Sequence, residues 1–105
     1  MNDRNTPDGE PVRRPEQILV VDDDWGIGDC VELLLGRAGY ECVITRQGSE
    51  ALAQLKLREF DMVITDLRLP DASGLDIVAA SKAANPETQV ILMTSFSSLS
   101  NGLMM

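Results

Sequence analysis

The sequence contains no histidine, and only two of its 105 residues are cysteine. Histidine-based triads are therefore excluded, along with zinc sites built on imidazole. Cys30 and Cys42 have no metal-binding spacing and make no disulfide framework. Both read as small core or boundary residues, Cys30 in a helical pattern and Cys42 in a strand pattern. Basic residues are scarce as well. Nine Lys and Arg face 17 Asp and Glu, for a net charge of −8. No basic stripe is available to neutralise phosphates, so bulk nucleic-acid binding is not expected. The same charge disfavours an anionic membrane surface. No apolar run approaches the roughly 20 residues of a spanning helix. No secretory leader is recognised, and a cytoplasmic location is expected.

What is present is one domain's worth of chain, 44% hydrophobic. That length supports a real but modest core. Residues 1–16 are polar and hold Pro7, Gly9, Pro11 and Pro15, which reads as a disordered leader. Gln17 to Val21 is an apolar run of strand type. Trp25 to Ala38 carries Ile27, Val31, Leu34, Leu35 and Ala38 at helical spacing, with Asp24 as N-cap and Gly39 as stop. Tyr40 to Thr45 reads as a short strand. Gly48 and Ser49 then open a helix with Ala51, Leu52, Leu55 and Leu57 on its apolar side. Phe60 to Asp66 is a strand whose Met62, Val63 and Ile64 form a continuous apolar run, as in a sheet covered on both faces. Gly74 to Ala84 reads as a helix with Leu75, Val78 and Ala79 inward, ended by Asn85 and Pro86. Thr88 to Met93 is a fourth strand. Strands alternating with helices imply a parallel, doubly wound α/β sheet with helices on both faces.

Ligands of such sheets bind beyond the carboxyl ends of the strands. Here those ends carry Asp22, Asp23 and Asp24, then Asp66, then Thr94 and Ser95. Taken separately, Asp66 has the lesser alternative of capping the next turn, and the triple Asp reads equally as an exposed acidic turn capping the next helix. Together they would crowd like charges, which raise one another's pKa unless a cation intervenes. Oxygen-only ligands suit a hard ion such as Mg²⁺. An Asp in that setting is also a candidate nucleophile, forming an aspartyl phosphate. Trp25 lies beside the cluster, either roofing it or simply starting a helix.

These blocks, Ile18 to Asp23, Phe60 to Asp71, Gly74, and Val90 to Ser95, resemble the receiver domain of two-component response regulators. The resemblance runs from about Gln17 to Ser98. It implies a flavodoxin-like fold with strand order 2-1-3-4 and residues 17–105 as the receiver unit. It implies that Asp66 accepts a phosphoryl group from a sensor histidine kinase or a phosphotransfer protein. Asp22, Asp23, Asp66 and the backbone carbonyl of Arg68 would hold Mg²⁺. Thr94 would hydrogen-bond the phosphoryl group, and Ser95 would leave access to Asp66. Such a domain is a phosphoacceptor rather than an enzyme, with at most weak autophosphatase activity.

The family continues through a fourth helix, a fifth strand with a phosphoryl-pairing lysine, and a fifth helix. The sequence ends at Met105, and its lysines, Lys56 and Lys82, both lie in helical patterns. The fourth strand would then be an apolar edge, open to homodimer formation by edge pairing or domain swapping. The alternative reading is a truncated receiver that no longer switches and acts by contact alone. A phosphohydrolase with an Asp nucleophile usually has a second Asp two residues on, where this sequence has Arg68.

Overall fold

A computed structural model describes residues 15–94. The elements are β1 (Gln17–Val21), α1 (Trp25–Arg37), β2 (Glu41–Thr45), α2 (Gly48–Leu57), β3 (Met62–Asp66), α3 (Gly74–Ala84) and β4 (Gln89–Met93). The strands form one sheet in the order β2-β1-β3-β4, every pair parallel. This is the doubly wound α/β arrangement that the alternating pattern implied. The leader expected over residues 1–16 lies almost wholly outside the described residues, as does everything after Thr94.

Side chains alternate across a strand, and parallel register carries that alternation from strand to strand. Leu19 and Val21 therefore share a face with Val63 and Val90. Ala51 of α2, Ile77 of α3 and Phe60 close over that face and form the core with it. The other face carries Ile18, Val20, Ile64 and Ile91, with α1 above it. Ile18 and Val20 are buried there, while Ile91 at the β4 edge is 46% exposed.

Two helices meet the sheet with a different stripe from the one their spacing suggested. In α1 the buried residue is Gly28, with Val31 and Leu35 half-buried. Ile27 and Ala38 are exposed, and Leu34 is 59% exposed. Gly28 lets the helix approach β2: a Cβ there would lie 3.2 Å from the Ile44 side chain. α1 is apolar on more than one side, so its periodicity alone does not choose the line that faces inward. In α3 the buried line is Gly74, Ile77 and Ser81; Val78 is half-buried, but Leu75 and Ala79 are exposed. Gly74 sets this phase, because a Cβ there would sit 2.1 Å from the Asp66 carbonyl oxygen. Two smaller expectations also fail. Cys30 is exposed on α1, with only Cys42 half-buried, and Leu57 is exposed at the end of α2.

Helix ends follow the sequence closely. The Asp24 carboxylate accepts from Ile27 N–H at 3.2 Å. Gly39 stops α1 at φ +97°, a conformation that glycine adopts without strain. Ser73 and Asp76 form a reciprocal capping box at the start of α3.

Candidate metal centre

β1 and β3 are neighbours, with Val21 opposite Thr65. The next residue of each chain is therefore an aspartate at the same sheet edge. Asp22 is anchored by its N–H to the Thr45 carbonyl of β2 at 3.0 Å. The chain just past Asp66 is anchored on its other side, Leu67 N–H to the Met93 carbonyl at 2.8 Å. Gly74 backs onto the Asp66 carbonyl, a space no other side chain fits. Carboxylate oxygens of Asp22, Asp23 and Asp66 consequently lie within 4.8 Å of one another.

The electrostatics match this crowding. Asp22 is 2% exposed. Burial raises its pKa above the usual 3.8, opposed by the Asp24 N–H at 2.9 Å, and the charges of Asp66, Asp24 and Asp23 push it up further. Asp66 Oδ1 receives one long hydrogen bond, 3.3 Å from the Arg68 N–H. Among the described residues, the three acid groups thus share few donors. Their oxygens, at that separation, fit the coordination of a hard divalent cation, which relieves the repulsion.

Next to the cluster is a pocket of about 120 Å³ lined by Asp22, Ile27, Asp66, Met93 and Thr94. The structure therefore brings Thr94 to Asp66, while Ser95 lies outside the described residues. Arg68 follows Asp66 in the loop, where its backbone pairs with Ser73. On the far side of Asp23, a larger cleft is lined by Trp25, Ile44, Arg46, Gln47, Glu50 and Pro70. Trp25 is 67% exposed and carries the Arg46 guanidinium 3.3 Å from its ring centroid. It borders the acid cluster without burying it. Sequence reasoning missed this stacked pair, since Arg46 and Trp25 are 21 positions apart with no local signal. It also missed Asp71, whose carboxylate reaches the start of α2.

Residues 18–103 match the family model described as the response regulator receiver domain. The chain belongs to the response regulator receiver domain family. Curated relatives include the response regulator protein PilR of Pseudomonas aeruginosa, 36% identical over 88 residues, covering 84% of this chain and 20% of PilR. The transcriptional regulatory protein ZraR of Salmonella typhimurium is 36% identical with the same coverage. The chain spans about a fifth of the length of these relatives. Among solved structures, the chemotaxis response regulator CheY4 of Vibrio cholerae superposes with a TM-score of 0.73 at 30% identity, over 85% of this chain and 76% of that one. Receiver domains are phosphoacceptors that bind a divalent metal in an acidic pocket and work with sensor histidine kinases or phosphotransfer partners. The contact-only alternative is not favoured by these likenesses.

Proposed function

We propose that Asp66 of this receiver domain takes a phosphoryl group from a phosphohistidine of a sensor kinase or phosphotransfer protein, with Mg²⁺ as the metal. The observation that carries the reading is the convergence of Asp22, Asp23 and Asp66 oxygens beside a pocket that Thr94 also lines. An Asp66 oxygen attacks phosphorus in line, the phosphorus–nitrogen bond breaks, and its electron pair returns to the donor imidazole. Asp22, Asp23, Asp66 and the Arg68 carbonyl hold the cation, which when bound neutralises charge on the phosphoryl oxygens. The Thr94 hydroxyl donates to one of those oxygens, and Ser95 leaves the approach open. Release of phosphate is slow hydrolysis at the same carboxylate. The receiver unit spans residues 17–105 behind a leader, and its place is the cytoplasm. No helix among the described residues is long and apolar enough to cross a membrane. Exposure of Ile91 and Leu92 on β4 supports a homodimer formed through that edge.

Trp25 fluorescence tests the reading, since the ring lines the same cleft as Asp23. Mg²⁺ changes the emission, acetyl phosphate changes it again, and Asp66→Ala abolishes the second change. A folded chain silent to both additions contradicts the proposal.

A further inference from the structure

The loop after Asp66 is closed at its base and held at its tip by one side chain. At the base, Gly74 N–H donates to the Leu67 carbonyl at 2.7 Å, and Arg68 pairs with Ser73. Leu69 N–H donates to the Ala72 carbonyl at 3.1 Å, which turns the chain. At the tip, Asp71 crosses to a different element. Its Oδ1 accepts from Gly48 N–H at 2.7 Å and its Oδ2 from Ser49 N–H at 3.0 Å. These are first-turn donors of α2, which a helix leaves without internal partners. The local N-cap, Gln47, makes no side-chain hydrogen bond to them. Asp71 therefore caps α2 from 23 positions away, and its charge suits the helix's positive end. The junction is tight. A Cβ on Gly48 would lie 2.6 Å from the Ala72 Cβ and 3.2 Å from Asp71 Oδ1.

We propose that Asp71 is a positioning residue for the metal and acceptor centre: by clamping the loop tip to α2 it fixes the backbone of Arg68, and with it the Arg68 carbonyl. The proposal rests on the phosphoacceptor reading above. Asp71 and Ser49 are exposed while Gly48 is buried, so water replaces only part of what the carboxylate supplies when it is removed, and the expected cost is a lowered stability rather than loss of the fold. What is lost is the fixed path of the loop between Asp66 and Ser73. Outer partners that orient metal ligands commonly affect affinity by about tenfold or more. The clamp acts on the ligand's backbone, so its effect falls on metal affinity rather than on the chemical step.

The test follows phosphorylation by acetyl phosphate as a function of Mg²⁺ concentration, in the full chain and in Asp71→Ala, Asp71→Asn and Gly48→Ala. Asp71→Ala is expected to raise the half-saturating Mg²⁺ concentration about tenfold and to leave the rate at saturating Mg²⁺ unchanged. Asn keeps one acceptor oxygen for two donors, so Asp71→Asn falls between Ala and the natural residue. Gly48→Ala forces the same junction apart and shifts the curve in the same direction. An Asp71→Ala protein that is folded, with the natural Mg²⁺ dependence, overturns the proposal. So does a lowered melting temperature with no change in that dependence. Failure of the natural chain itself to bind Mg²⁺ or to label would instead overturn the phosphoacceptor reading, and the proposal with it.

Discussion

Asp22 and Asp71 are both carboxylates at the carboxyl edge of one sheet, and the fold treats them oppositely. Asp71 is exposed and receives two backbone N–H groups, Ser49 and Gly48, which lower its pKa. Asp22 is buried with a single N–H, and burial with three neighbouring acids raises its pKa. The first carboxylate is satisfied by the chain alone and fastens a loop. The second is left short of positive partners among the described residues, beside Asp23 and Asp66, an arrangement that suits a cation from solution. Function sits where the polypeptide leaves charge unbalanced, and structure where it does not.

The comparison breaks most visibly at Asp66. Asp66→Ala is expected to abolish labelling by acetyl phosphate while the fold persists, read by intact mass and circular dichroism. Gly74→Ala attacks the support beneath it. Its methyl collides with the Asp66 carbonyl at 2.1 Å, and a cost of about 3 kcal/mol in urea unfolding is expected. Asp23→Ala removes one member of the metal cluster and is expected to weaken Mg²⁺ binding by at least about tenfold, measured by Trp25 titration.

The smallest effect concerns pH and sharpens the contrast directly. Asp71 has a lowered folded-state pKa, so its contribution to stability is present above the usual 3.8 and is lost as pH falls through the folded value. Asp22 has a raised folded-state pKa, so its contribution is present below 3.8 and is lost as pH rises through the folded value. In metal-free buffer near neutral pH, Asp22→Asn is therefore expected to be more stable than the natural chain. The deficit of Asp71→Ala is expected to shrink on acidification. Melting temperatures measured across acidic to neutral pH check both signs.

The sequence carried the strand ends because they are local: an apolar run stops and an aspartate begins. β1 and the bounds of α3 follow from such punctuation, and the order β2-β1-β3-β4 followed from the family resemblance. Helix phase was less legible. Gly28 lies tight against the Ile44 side chain and Gly74 against the Asp66 backbone, and a pattern that looks for large apolar side chains passes over glycine. Leu75 and Leu34, which the apolar pattern turned inward, are exposed. The clamp from Asp71 to Gly48 and the stack of Arg46 on Trp25 join distant parts of the chain. Only the folded arrangement brings those partners together. A capless α2 start at Gln47-Gly48 was the one local sign that a cap had to come from elsewhere.

The most direct measurement is the intact mass of the folded chain after incubation with acetyl phosphate and Mg²⁺, beside Asp66→Ala treated identically. The expected result is a single phosphoryl adduct that depends on Mg²⁺, is released by hydroxylamine as an acyl phosphate should be, and is absent from Asp66→Ala. A folded, Mg²⁺-bound chain that gains no adduct, or an adduct that persists in Asp66→Ala, would contradict the assignment of Asp66 as the acceptor.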